Sequence, residues 1–332
     1  MADLRASLTA LAEAEGFSGV IALDGFDDDF TIARGLAHRG FEVPNQADTQ
    51  FAVASAAKGF TALAVVSLIQ EGLLAPATTA RSLLGADLPL IADDVTVEHL
   101  LAHRSGIGDY IDEEDESLEM DDYVLATPVH RLVTTEAYLP DVDGHPTKFP
   151  AGERFSYCNG GYIVLALLAE RASGVPFHTL VTDRVITPAG LSATGFLRSD
   201  EPSGRMANGY LYPDGLRTNV LHLPVLGNGD GGIYTTARDL VAFWAALFSG
   251  RIVGERWVEE MTTARSRFPG GGYGWGFWLD EEGAGVRLIG GDAGVSFTSR
   301  HDPATGSTWS VLSNTSDGAW PIIRHLRDTL GS

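Results

Sequence analysis

The sequence predicts an α/β protein of the α+β type, with one antiparallel sheet, discontinuous along the chain, and a mostly helical insertion. Three observations predict it. β-rich runs lie within the first 53 residues, helical signals dominate from 54 to about 205, and strand signals return in the last third. Strands, helices and strands again put the sheet residues in two separated segments. The implied boundaries are 1–75 and 206–332 for the sheet domain and 76–205 for the helical domain.

The elements follow in order. "MADLRASLTALAEAEGF" places Leu4, Leu8 and Leu11 on one helix face. "FSGVIAL" (17–23) and "FTIARGL" (30–36) flank the turn chemistry of "DGFDDD", which predicts a hairpin. "FAV" (51–53) reads as a short third strand. Apolar runs at 59–74, 96–102 and 161–172 predict helices, punctuated by Gly, Pro and Asp. Strands follow at "YGWGFWL" (273–279), "VRLI" (286–289), "VSFTSR" (295–300) and "TWSVLS" (308–313). Their short links fit an antiparallel sheet, and an amphipathic helix closes the chain at about 319–330.

Composition narrows the function. The 332 residues are 44% hydrophobic and 20% charged, a globular composition with a sizeable core. No apolar stretch reaches the ~18 residues that span a bilayer. The net charge of −21 argues against nucleic acid or an anionic membrane as partner. The N-terminus lacks the pattern of a signal peptide, and the single cysteine, Cys158, has no internal partner. A cytoplasmic protein is the expectation. The acidic stretch "DYIDEEDESLEMDD" (109–122) reads either as a solvated loop or as a substrate-facing lid.

The chain has two lysines, and one of them sits in "AVASAAKGFT" (52–61). The run "GFTALAVVSLI" (59–69) is apolar all round, so its helix is buried. Ser55 opens that helix and Lys58 lies one turn in, on the same face. Ser55 could be a plain N-cap. A capping box would then want Glu or Gln at 58, and a cation in the first turn opposes the helix dipole by about 0.3–1 kcal/mol. Lys58 suits chemistry better. Burial and the positive helix end favour a neutral amine, which can take the Ser55 proton and make the hydroxyl a nucleophile. The backbone N–H of Ser55 can then help hold an oxyanion.

A second group lies in "FSYCNGGYIVLALLAER" (155–171), before a buried helix. Tyr157 could relay a proton, or anchor the loop. Asn159 could bond a substrate amide or hold Lys58, or cap the helix.

Ser-x-x-Lys followed about a hundred residues later by Tyr-x-Asn resembles the serine β-lactamase/penicillin-binding-protein superfamily. The resemblance is to the branch of class C β-lactamases, D-aminopeptidases and family VIII-type esterases. "HLLAHRSGIGDY" (99–110), "FPAGERFSYCNGGY" (149–162, with Cys158 replacing the usual serine) and "GGIYTTARDLVAFWAAL" (231–247) are similar to further family segments. "YGWGFWL" and "GGDAGVSFTSRHDPATG" occupy the places of its late strands. The resemblance implies a β-lactamase/transpeptidase-like fold, with an antiparallel sheet flanked by helices and a site in the cleft between two domains. It also implies double displacement through Ser55, with Lys58 and Tyr157 sharing proton transfer. The N–H groups of Ser55 and Val295 would form the oxyanion hole, and Asn159, Asp292 and Gly294 would meet substrate. No metal or cofactor is implied.

One departure bears on substrate. The family's Lys-Thr-Gly or His-x-Gly motif aligns here with Asp292, Ala293 and Gly294. Gly294 keeps the backbone open to approach. Asp292 puts a negative charge where β-lactams and carboxypeptidase substrates carry their carboxylate. The expectation is an esterase or amidase acting on a small neutral or cationic ester, amide or peptide. A D-amino-acid peptidase or amidase, or a weak β-lactamase, is the enzymatic alternative. A penicillin-binding or sensor protein without turnover is the alternative of another class. Asp292 could instead turn away and pair with Arg300.

Other signals carry less. "GNGDGG" (227–232) satisfies Gly-x-Gly-x-x-Gly but lacks a surrounding strand–turn–helix unit. His99 and His103 have i, i+4 spacing, without the Glu of a zincin motif. His103 is expected to stabilise a loop through a backbone hydrogen bond. No Gly-x-Ser-x-Gly elbow occurs. Trp275, Phe277 and Trp278 are expected as core and wall residues.

Overall fold

The computed structural model describes residues 2–331. Helix α1 (Ala2–Ala14) leads into β1 (Gly19–Asp24) and β2 (Phe30–Arg34). The helical part contains α2 (Ala57–Gln70), α3 (Val97–Leu101) and α4 (Asn159–Ser173). Helix α5 (Ala237–Phe248) precedes β3 (Ser266–Phe268), β4 (Gly271–Tyr273), β5 (Trp278–Leu279), β6 (Val286–Asp292), β7 (Val295–Asp302) and β8 (Ser307–Ser313). Helix α6 (Ala319–Leu330) ends the chain. The sheet order is β2-β1-β8-β7-β6-β5-β4-β3, antiparallel throughout. The late strands form a meander, and β1 joins it by pairing Val20 with Leu312.

Alternation along β1 builds two cores. Ile21 and Leu23 face α1 and α6, where they meet Leu4, Leu8, Trp309, Ile322 and Leu326. Val20 and Ala22 point to the other side, into the cluster that holds Phe60, Leu63, Leu165, Leu288 and Phe297. Each fully buried large apolar side chain contributes about 1.5–3 kcal/mol relative to exposure. Helix α2 is buried from Ala57 to Ile69, as a helix without a polar face must be. Leu11 of α1 is only partly buried, beside the second core.

Two strand expectations need correction. The 273–279 segment is not one strand but the end of β4, a turn and β5. Gly276 takes φ +84°, which turns the chain back, and a Cβ there would lie 2.4 Å from that of Ala62. Strand β6 runs past residue 289 to Asp292, so the aligned third motif lies at a hairpin.

Candidate active site

The turn that carries Ser55 is held by two neighbouring segments. Phe51–Ala52 pairs with Tyr234–Thr235, and Val53 N–H donates to Ile233 O at 3.0 Å. Strand β6 passes so close that a Cβ on Gly290 would sit 2.0 Å from Val53 O. Ala54 is thereby held at φ +44°, an uncommon conformation for a residue with a side chain. Ser55 lies in a 3₁₀ turn, Ala54–Ala56, that feeds α2. It is not the N-cap; Ala56 is, without a side-chain cap. The Ser55 hydroxyl is left for other partners.

Its partners are Lys58 and Tyr157. Lys58 Nζ lies 3.0 Å from Ser55 Oγ, 2.8 Å from Asn159 Oδ1 and 2.7 Å from the Asp230 carbonyl. With two hydrogens taken by Asn159 and Asp230, the third position of the nitrogen points at Ser55. A neutral amine presents its lone pair there, and an ammonium presents its last hydrogen. Lys58 is buried, but not in the apolar setting its helix suggested. Its charge holds down the carboxyls of Asp109 and Asp230, which burial raises. Burial pushes the Tyr157 phenol well above its ordinary value, Glu113 adds to this, and a hydrogen bond with Ser55 pulls it back. Tyr157 therefore rests as a phenol.

Behind this set stands a support layer that the sequence did not disclose. Asp109 accepts from the N–H groups of Asn159 (2.6 Å) and Gly160 (2.7 Å), the first turn of α4. Burial raises it to about 6, against those two bonds and Lys58. Asn159 Nδ2 donates to Ile111 O and to Glu113 Oε1, so Asn159 does hold Lys58 and is itself held. His103 is not on the face of α3. It lies beyond the helix at φ +54°, its ring tilted 36° against that of Tyr157 with centroids 4.3 Å apart, and accepts from Cys158 N–H at 3.1 Å. Burial, and then Lys58, keep it well below its usual range and neutral. His99 Nδ1 accepts from Thr96 N–H. The two rings do not form a pair, because α3 ends between them at Leu101.

A cavity opens beside Ser55, lined by Asn159, Asp230, Asp292 and Val295 among others. A second groove continues past Ser55 along Tyr157, Trp278 and Trp320. Ser55 thus sits where two halves of a substrate would meet. Asp292 does not pair with Arg300, which binds Asp280 at 2.8 Å. Its carboxylate accepts from Tyr123 OH at 3.2 Å and from Ala293 N–H at 2.8 Å. Burial, offset by those bonds and reinforced by Asp230 and Glu113, raises it to about 7. Gly294 does not line the cavity. At φ +71° it makes the β6–β7 turn, pressed against the Gly209–Tyr210 backbone. Of the acidic stretch, Ile111, Glu113 and Met120 face the cavity and Asp121 binds Ser316, while Asp115 and Glu116 are exposed.

Asp230 belongs to the glycine-rich 227–232 segment. That segment is a tight loop over α2, with Thr61 Oγ1 donating to Gly229 O at 2.6 Å. Its signal in the sequence was an acid amid glycines, legible only once the loop lies against Lys58.

Comparison with known proteins agrees with the geometry. The chain matches the family described as Beta-lactamase over residues 4–328. It is 28% identical over 316 residues to Penicillin-binding protein 4* of Bacillus subtilis, covering 88% of this chain and 67% of that protein. It is 30% identical over 182 residues to Esterase EstB of Burkholderia gladioli, covering 51% of this chain and 44% of that protein. The penicillin binding protein from Bacillus halodurans superposes with a TM-score of 0.90 at 33% identity, covering 97% of this chain and 99% of that one. The D-amino acid amidase from Ochrobactrum anthropi SV3 shares the fold, with a TM-score of 0.79 at 24% identity over 99% of each chain. A match that runs almost from end to end, on this fold, means that the chain belongs to the beta-lactamase family and is a serine hydrolase.

Proposed function

We propose that the chain hydrolyses small esters or amides through an acyl-enzyme on Ser55. The observation that carries this reading is the single axis from Lys58 Nζ to Ser55 Oγ, 3.0 Å long, at the junction of two cavities. Lys58 takes the Ser55 proton as Oγ attacks the carbonyl carbon. The oxyanion rests on the N–H groups of Ser55 and Val295. Tyr157, resting as a phenol, passes a proton to the leaving group, and the proton that Lys58 took from Ser55 restores the phenol. Water then attacks the ester of Ser55 by the reverse relay.

Neutral and cationic substrates fit best. Asp292 has no cationic partner among the described residues, and Glu113 and Asp230 line the same cavity. A β-lactam or C-terminal carboxylate would meet three like charges there. Turnover of p-nitrophenyl esters, D-aminoacyl anilides and nitrocefin tests the reading. Ester or anilide turnover with weak nitrocefin turnover is expected. Acylation without turnover of any of the three would make the chain a binding protein.

A further inference from the structure

The cavity beside Ser55 has an unusual lining. Among the described residues it holds Glu113, Asp230 and Asp292 and not one lysine, arginine or histidine. Tyr110, Tyr123 and Tyr138 line it as well. Asp230 is bonded directly by one of them, while Tyr123 OH donates to Asp292 and Tyr138 OH to the Leu226 carbonyl. Tyr110 OH donates to Asp230 Oδ2 at 2.5 Å, and the charge of Asp230 helps raise the phenols of Tyr110, Tyr123 and Tyr138. Lys58 bonds the backbone carbonyl of Asp230, and none of the described ion pairs involves the Asp230 carboxylate. Counting the groups that face this region, Asp109, Glu113, Asp230 and Asp292 stand against Lys58 alone.

Structure alone accounts poorly for that arrangement. Tyr110 would anchor the loop through any acceptor, and a buried carboxylate costs more than an amide. Aromatic side chains gathered in one lining with an acid are what an organic cation prefers. Leu125 and Val225 complete the wall, which suits a cation wrapped in carbon rather than a hydrated metal ion. The Ser199 Oγ in the same lining is buried without a hydrogen-bond partner. The cavity has room for a group of this size beside the acyl carbon.

We propose that Asp230, Tyr110, Tyr123 and Tyr138 form a subsite for an organic cation, and that the substrate is an ester or amide carrying an alkylammonium group. The second half of this statement rests on the hydrolase reading above, and the first does not.

Choline and 3,3-dimethylbutan-1-ol have the same shape and differ in the charge on one atom. Their dissociation constants are measured by calorimetric titration of the full chain at pH 8 and low salt. Choline is expected to bind at least about tenfold more tightly. Asp230→Asn should shrink that ratio to below about threefold, and Tyr123→Leu at the rim should lower it part of the way. Equal or undetectable binding of both ligands by the parent chain overturns the subsite, as does an unchanged ratio in Asp230→Asn. In the second arm kcat/KM is compared for acetylcholine and 3,3-dimethylbutyl acetate. A preference of tenfold or more for acetylcholine supports the substrate class, and equal values overturn it. If neither ester, nor any p-nitrophenyl ester, D-aminoacyl anilide or nitrocefin, turns over while choline still binds selectively, the hydrolase reading fails and the cation subsite stands.

Discussion

Lys58 Nζ and Ser55 Oγ lie 3.0 Å apart, with the other two hydrogens of the nitrogen committed to Asn159 and Asp230. The one remaining position on the nitrogen faces the Ser55 hydroxyl.

Ser55 should be the residue acylated. A fluorophosphonate probe should add one adduct, mapped by mass spectrometry to the peptide containing Ser55. Ser55→Ala should lose the adduct and at least about a thousandfold in kcat for any ester turned over. Labelling that survives in that variant would sink the assignment.

Lys58 and Tyr157 should behave as one unit. Lys58→Met and Tyr157→Phe should each lower kcat by about 10²- to 10⁴-fold. The double variant should lose little more, because both act on the same proton. Additive losses in a double-mutant cycle would show independent roles.

Asp292 should set a pH-dependent charge preference. Its carboxyl is raised from 3.8 to about 7, chiefly by burial. It is neutral at pH 5 and ionised at pH 8. Two like charges ~4 Å apart repel by about 1 kcal/mol in water and about 4 at an effective dielectric of 20. The ratio of kcat/KM for nitrocefin to that for a neutral p-nitrophenyl ester should therefore fall at least about tenfold as pH rises through 7. In Asp292→Asn the ratio should stay flat. Stability carries the same sign: the native state keeps a proton that the unfolded chain has released between pH ~4 and ~7, so this group's contribution is lost as pH rises through 7. The gain in Tm of Asp292→Asn over the parent should grow across that window. A constant Tm difference from pH 5 to 8 would assign Asp292 no titration there.

Gly290 should be the most sensitive glycine near the site. An alanine Cβ would meet Val53 O at 2.0 Å and Ala56 N at 3.1 Å, both backbone. Either β6 or the Ser55 turn must move. Gly290→Ala should cost about 1–3 kcal/mol in denaturant unfolding and lower kcat with it. Full stability and full activity would mean that the contact relaxes freely.

The sequence by itself marked most of the elements and the residue types that meet beside Ser55. The β-rich runs on either side of the turn chemistry after residue 23 mark the first hairpin, and the uniformly apolar run after Lys58 marks a helix with no face exposed, because turn chemistry and local periodicity act within a few residues. Ser55 and Lys58, three apart, meet through helical spacing alone, and Tyr157 and Asn159 were marked by residue type and place. Tertiary structure decided what surrounds them. Only packing puts the 227–232 loop over α2 and so brings Asp230 to Lys58, 172 residues away in sequence. Only the β4–β5 turn shows that 273–279 is two strands, and only the partners actually in reach decide that Arg300 takes Asp280 and leaves Asp292 to Tyr123. The physical reason is range. Helix and strand propensities act over a few residues, whereas the burial of a carboxylate and the company it keeps depend on contacts between segments a hundred or more residues apart.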